Sequence, residues 1–236
     1  MNSDSRFPPT RFSSSDKKKI EPQGNNALWR IPEWFPDLDP KLGEQLKVYH
    51  SELLKFNLKL NLISRSTERD ADEVHFADCL LALELMKKVK LGAKVHDIGS
   101  GNGIPGLICA LQNPSVEFFL IESDARKCEF LKHIVHVLQL KNARLMNVRL
   151  ETLKDEGIEC AISRGFASIS KSILSMNKFV GKGVRFFHLK GNNWSYEIAE
   201  LPSQLISVWT PELVGEYSLP SSQARRAVVC TTKVQD

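Results

Sequence analysis

The chain has 236 residues, 42% of them apolar and 25% charged, with a formal net charge of +4. These proportions fit one globular domain with a small extra lobe and exclude a wholly disordered chain or a membrane protein. Mild basicity by itself marks a solvated surface; it gains meaning only beside a site that handles nucleic acid.

Residues 1–26 are rich in Ser, Pro, Lys and Asn, show no apolar period, and read as a disordered tail. They hold no apolar core of a secretory signal. From Asp39 the period becomes helical: Leu42, Leu46, Tyr49, Leu53, Phe56 and Leu60 form one stripe. A second helix is predicted over Glu68–Val89, ended by Leu91-Gly92. Residues 27–92 therefore read as a helical lobe. After Gly92 the pattern alternates. Strands are predicted at Lys94–Ile98, Val116–Glu122, Ala143–Val148, Glu159–Ser163 and Val184–Leu189. Helices lie between them at Ile104–Gln112, from the N-cap Asp124 through Leu138, and at Ile169–Phe179. This order predicts an α/β domain over residues 93–236, with a mostly parallel, doubly wound sheet. Leu205–Trp209 and Ala227–Thr232 read as an antiparallel hairpin at its edge. The five cysteines form no CxxC pair and read as reduced, buried thiols of a cytoplasmic protein. His133 and His136 lie three apart but lack a third ligand at a recognisable spacing, so no metal site is expected.

The segment VHDIGSGNGIPGL, Val95–Leu107, follows the first strand of this domain and opens a helix. Glycines there let the backbone approach a ligand, and the helix start offers free N–H donors. Gly101-x-Gly103-x-x-Gly106 fits a dinucleotide turn. Asp97, two residues before Gly99, argues for a different ligand. Its carboxylate would repel a pyrophosphate but can pair with the ammonium of a methionine moiety. Asp97-x-Gly99-x-Gly101-x-Gly103 is the pattern of S-adenosylmethionine-dependent methyltransferases. Glu122, ending the next strand, can accept ribose hydroxyls in either cofactor.

The residues that follow carry a resemblance. DIGSGNGIPGL is similar to the signature of the RsmG (GidB) family, which methylates guanine N7 in small-subunit ribosomal RNA. Phe56-Asn57-x-x-x-Asn61-Leu62, His75-x-x-Asp78, Ser163-Arg164-Gly165-Phe166-Ala167 and Leu189-Lys190-Gly191 resemble further segments of that family. Phe56 stands where the family has Trp, Val74 where it has Arg, and Gly165 where it has Ala; Arg225-Arg226 matches a basic pair loosely. The resemblance implies a Rossmann-like class I methyltransferase that binds S-adenosylmethionine. It implies cofactor contacts from Gly99, Ile104, Leu150, Glu151 and Arg164, beside the Asp97, Gly101, Gly103 and Glu122 already read from the turn and strand. It places Arg164 and Lys190 as positioning residues at the methyl-transfer centre, and His75, Asp78, Lys190, Arg225 and Arg226 towards the RNA. The implied partner is 16S rRNA or the small ribosomal subunit. The residues themselves lead to the expectation of a cytoplasmic protein without membrane or metal, and a monomer is expected.

Guanine N7 carries a free lone pair at neutral pH, so no strong general base is required. Alignment should dominate catalysis. The absence of a nucleophilic triad or a Pro-Cys pair fits such a reaction. Phe166 and Trp194 are candidates to stack a splayed-out base. The alternatives are a methyltransferase of this fold with another substrate, a nicotinamide-dependent oxidoreductase, or a non-catalytic ribosome-binding protein.

Overall fold

The structure is a computed structural model that describes residues 27–87, 89, 91–153 and 157–235; the tail read over residues 1–26 lies outside them. After a single turn, α1 (Ile31–Trp34), helix α2 spans Pro40–Leu60. Asp39 caps it by accepting from the Leu42 N–H at 2.8 Å, and Pro40 occupies a first-turn position where no donor is needed. The stripe does what its spacing demands. Leu46, Tyr49 and Leu53 are fully buried, while Leu42, Phe56 and Leu60 pack at the margin of the same core.

The second helix is less regular than its periodicity suggests. A π-helical turn, Asp72–Ala77, leads into α3 (Asp78–Met86). Its start is held by Arg30, which donates to Asp72 from its backbone N–H, Nε and Nη2 at 2.7, 3.0 and 2.7 Å. Widened turns of this kind recur at functional sites. This one brings Val74 and His75, with Asp78 at the start of α3, to a cavity at the carboxyl edge of the sheet.

Seven strands form one sheet: β1 (Lys94–Ile98), β2 (Glu117–Ile121), β3 (Ala143–Met146), β4 (Cys160–Arg164), β5 (Arg185–Lys190), β6 (Trp209–Ser218) and β7 (Arg225–Lys233). Their order is β3-β2-β1-β4-β5-β7-β6, and β1 to β5 are parallel. Helices α4 (Gly106–Gln112), α5 (Ala125–Val137), α6 (Ile169–Met176), α7 (Trp194–Ala199) and α8 (Ser203–Ile206) complete this Rossmann-like α/β fold. Asp124 caps α5 through the Arg126 and Lys127 N–H groups. β1 and β4 are neighbours although β1 leads first to β2 on its other side. Open α/β sheets bind ligands beyond the carboxyl ends of the strands at such a switch point.

One sheet face packs on α2 to α5, with Tyr49, Phe76, Leu107 and Phe130 in a shared core. The other packs on α6 and α8 around Ile173, Phe186 and Trp209.

The antiparallel edge pair is present, but its first strand is displaced from the expected Leu205–Trp209. Ser203–Ile206 is helical, and β6 starts at Trp209 and runs to Ser218. Pro211 and Gly215 disguise this strand. Proline is tolerated on an edge strand. At Gly215 the register shifts in a bulge, and the backbone passes against Leu85 of α3.

Candidate functional site

The β1–α4 turn is built by close approaches. Gly106 lies against β1: a Cβ there would sit 2.5 Å from Asp97 Oδ2 and 2.7 Å from Leu120. Gly99 has φ +68°, and its Cβ would lie 2.5 Å from the Phe166 ring. Side chains hold the turn from below. Ser100 Oγ donates to the Asp97 carbonyl at 2.9 Å, and Asn102 Oδ1 accepts from the Ile104 N–H at 3.1 Å. Tyr49, from α2, donates to the Asn102 carbonyl at 2.5 Å. The helical lobe thus braces the turn directly.

Two acids flank the turn differently. Glu122 lies on the cavity wall and accepts from the Gly101 and Asp124 N–H groups, each at 2.8 Å. Asp97 lies behind the wall. Its Oδ2 accepts from the Gly106 N–H at 3.2 Å, and its Oδ1 is buried with no hydrogen-bond partner among the described residues. Burial pushes its pKa up to about 7, against the opposing pull of Ser100, Gly106 and Arg164.

Across the turn stand the cations. Arg164, at the end of β4, donates from Nη1 to the Val74 carbonyl at 3.0 Å and from Nη2 to His75 Nδ1 at 2.9 Å. Its Nη1 also lies 3.4 Å from Asp78 Oδ2. Asp78 Oδ1 accepts from the Tyr217 hydroxyl at 2.9 Å, with Arg226 Nε 3.6 Å away. An arginine can only donate, so His75 accepts at Nδ1 and carries its proton on Nε2. Burial and the Arg164 charge hold its pKa well below the ordinary histidine value. Lys190, at the end of β5, donates to the Ala167 carbonyl at 2.7 Å and pairs with Glu197 at 2.8 Å.

These groups surround one cavity of about 1040 Å³ at the carboxyl edge of the sheet. Of the residues singled out in the sequence, Gly99, Gly101, Ile104, Glu122, Leu150, Arg164, His75, Asp78, Lys190 and Arg226 line it. Asp97, Gly103, Glu151 and Arg225 do not. Gly103 lies beneath the turn, where a Cβ would meet Leu107 and the Tyr49 hydroxyl. Glu151 is exposed beside Leu150. Arg225 and Arg226, adjacent on a strand, diverge: Arg225 points outward to Glu216, with both contacts at 3.1 Å. Trp194 is half-buried and donates from its indole to Glu216 at 3.1 Å, whereas Phe166 is on the cavity wall. Sequence reasoning missed Lys127, Val148 and Glu197, which also line the cavity. Only Lys127 carries a sequence signal, three residues after a helix cap.

The remaining candidate chemistry lies elsewhere. All five cysteines are buried and unpaired. His133 pairs with Glu52 at 2.7 Å. Among the described residues no group of three or more metal-ligating side chains occurs, and no helix is long and apolar enough to cross a membrane.

With this geometry in hand, comparisons with known proteins agree on a family. The model described as GidB, rRNA small subunit methyltransferase G, matches residues 42–222. The ribosomal RNA small subunit methyltransferase G 3 of Bdellovibrio bacteriovorus is 49% identical over 209 residues, covering 88% of this chain and 95% of its own. The ribosomal RNA small subunit methyltransferase G of Desulfotalea psychrophila is 38% identical over 199 residues, covering 82% of this chain and 90% of its own. Among solved structures, a mutant of MtNAS in complex with S-adenosylmethionine superposes with a TM-score of 0.54 at 13% identity, covering 86% of this chain and 82% of that one. At that identity the likeness concerns the fold.

Proposed function

The chain belongs to the rRNA small subunit methyltransferase G family, and from that premise we propose that it methylates N7 of a guanosine in 16S rRNA. It is a methyltransferase, and its cofactor is S-adenosylmethionine. The observation that carries the reading is the cavity of about 1040 Å³ at the β1–β4 switch point. It joins the glycine turn and Glu122 on one side to Arg164, Lys190, His75 and Asp78 on the other.

The residues suit the cofactor. Gly99 keeps clear the space that a Cβ would fill, and Gly101 and Ile104 line the cavity beside it. Glu122 has lone pairs beyond the two that accept backbone N–H groups, free for ribose hydroxyls. Ile121, Val148 and Leu150 offer apolar walls for a flat base, with Glu151 next in the chain. Asp97 lies behind the turn with its Oδ1 unpartnered; burial raises its pKa to about 7, and an ammonium group held at the turn would favour its charged form. Gly103 shapes the turn.

When bound, S-adenosylmethionine supplies an electrophilic methyl group on a sulfonium. The chain supplies alignment. N7 has a lone pair and loses no proton, so no base is needed, and the neutral His75 is consistent with that. Arg164 is fixed by three partners from the helical lobe, and Lys190 by Ala167 and Glu197 of the sheet domain. Both can place a guanine through O6 or hold a phosphate, and Asp78 and Arg226 extend the same wall. Arg225 faces away from the cavity and suits an outer RNA contact. In this reading residues 93–236 form the cofactor domain and residues 27–92 a lobe that closes the site. The protein acts as a cytoplasmic monomer.

The test is transfer of a tritiated methyl group from S-adenosylmethionine to purified small subunits and to naked 16S rRNA. Label should enter one or both as 7-methylguanosine. Label entering only another class of molecule would contradict the reading.

A further inference from the structure

Among the described residues only two Phe, Tyr or Trp side chains are exposed, Phe166 and Tyr196, at 36% and 71% of their surface. They stand on the same side of the catalytic cavity. Phe166 is on its wall. Tyr196 lines a second hollow of about 500 Å³, and Gly165 and Glu197 belong to the walls of both. The two spaces therefore adjoin.

The second hollow has a distinct character. Its floor comes from the Gly165–Ser168 turn after β4, and its wall is Tyr196 and Glu197 of α7 with the flanking cap residues Asn193 and Glu200. These four positions share a helical face. Its only charged side chains are carboxylates. Glu197 is occupied by Lys190 and by the Ile169 N–H at 2.7 Å, while Glu200 is exposed and makes no side-chain hydrogen bond or ion pair among the described residues. No cation lines this hollow, so it does not suit a phosphate. A flat, uncharged ring with N–H donors on its edge suits it well: the ring stacks on Tyr196, and the edge meets Asn193 or Glu200.

We propose that Tyr196 is a stacking shelf for the nucleobase next to the target guanosine, with the adjoining cavity receiving the target itself. The inference rests on the RNA-methyltransferase reading above. It gives substrate specificity a second subsite, reached through the Gly165 turn. Tyr196, rather than Trp194, is the exposed aromatic on α7, because the Trp194 indole is turned towards Glu216.

The test compares full-length wild type, Tyr196→Ala and Tyr196→Phe. The readouts are methylation of small-subunit RNA as a function of RNA concentration and salt, and calorimetric binding of S-adenosylhomocysteine. Loss of one stacked base should raise the KM for RNA roughly 5- to 100-fold in Tyr196→Ala. Tyr196→Phe, which keeps the ring, should restore it. S-adenosylhomocysteine affinity should match wild type in both variants, which also reports that they fold. The dependence of KM on salt should keep its slope, because no phosphate contact is lost. A wild-type KM in Tyr196→Ala, or a slope shallower by about one ion, would overturn the shelf while leaving the function standing. Failure of the wild type to methylate any ribosomal RNA would overturn both.

Discussion

Arg164 Nη2 donates to His75 Nδ1 at 2.9 Å across 89 residues of chain. This contact joins the end of a central parallel strand to the π-helical turn of the lobe, on the wall of the cavity. Lysine cannot reproduce it, since a single ammonium lacks the planar fork that serves Val74, His75 and Asp78 together. Arg164→Lys should lower the rate of RNA methylation at least tenfold and cost about 1–3 kcal/mol of stability. Urea denaturation and a labelled-methyl assay measure the two effects. S-adenosylhomocysteine binding should suffer least, because the proposed role of Arg164 is to position the RNA.

Gly99→Ala introduces two faults at once. The residue has φ +68°, which costs a non-glycine residue about 1–3 kcal/mol. The new methyl would also lie 2.5 Å from the Phe166 ring, which must move off the cavity wall. The expected outcome is weaker S-adenosylhomocysteine binding in calorimetry together with a lower unfolding midpoint.

Glu122→Ala removes the acceptor of the Gly101 and Asp124 N–H groups, loosening the turn and the start of α5. Cofactor affinity should fall at least tenfold, equivalent to about 1.4 kcal/mol. Glu122→Gln keeps an acceptor and should lose less. Titration of both variants with S-adenosylhomocysteine separates the cases.

Arg225 and Arg226 are adjacent but should behave differently. Arg225 is exposed and paired with exposed Glu216, a contact worth about 0–1 kcal/mol. Arg226 lies on the cavity wall beside Asp78. Arg226→Ala should raise the KM for RNA severalfold more than Arg225→Ala, as measured in parallel methylation assays.

Stability should depend on pH in two opposing ways. Burial raises Asp97 to about 7, so its ionisation favours the unfolded chain: its contribution is full below the ordinary carboxylate pKa and is lost as pH rises towards 7. Burial lowers His50 and His96 to about 4 and His188 to about 3. Their contributions are full above the ordinary histidine pKa and are lost as pH falls through those values. Asp97→Asn removes one side of this balance. Between pH 4 and 7 its stability relative to wild type should rise with pH, with a slope approaching about 1.4 kcal/mol per unit. Urea midpoints across that range measure it.

Much of the fold was legible because local signals and burial agree. The α2 stripe, the Asp124 cap and β1 follow directly from spacing and residue type. The edge strand β6 was not legible, because Pro211 and Gly215 look like breakers; only the edge position and the bulge against Leu85 make them acceptable. At the site, the glycine turn and Glu122 could be read from one continuous stretch. The pairing of Lys190 with Glu197, and of Arg164 with His75, depends on separate segments meeting over the sheet. Nor could the sequence separate Arg225 from Arg226 without knowing which side of β7 faces the cavity.

Methylation of guanosine N7 in 16S rRNA leaves a mark that can be read directly in cells. Its most direct test is mass spectrometry of 16S rRNA from cells lacking this protein, from the parent, and from cells complemented with wild type or Arg164→Lys. One 7-methylguanosine should be absent without the protein, return fully with wild type, and return poorly with Arg164→Lys. An unchanged set of 7-methylguanosines in the deleted strain would contradict the proposed activity.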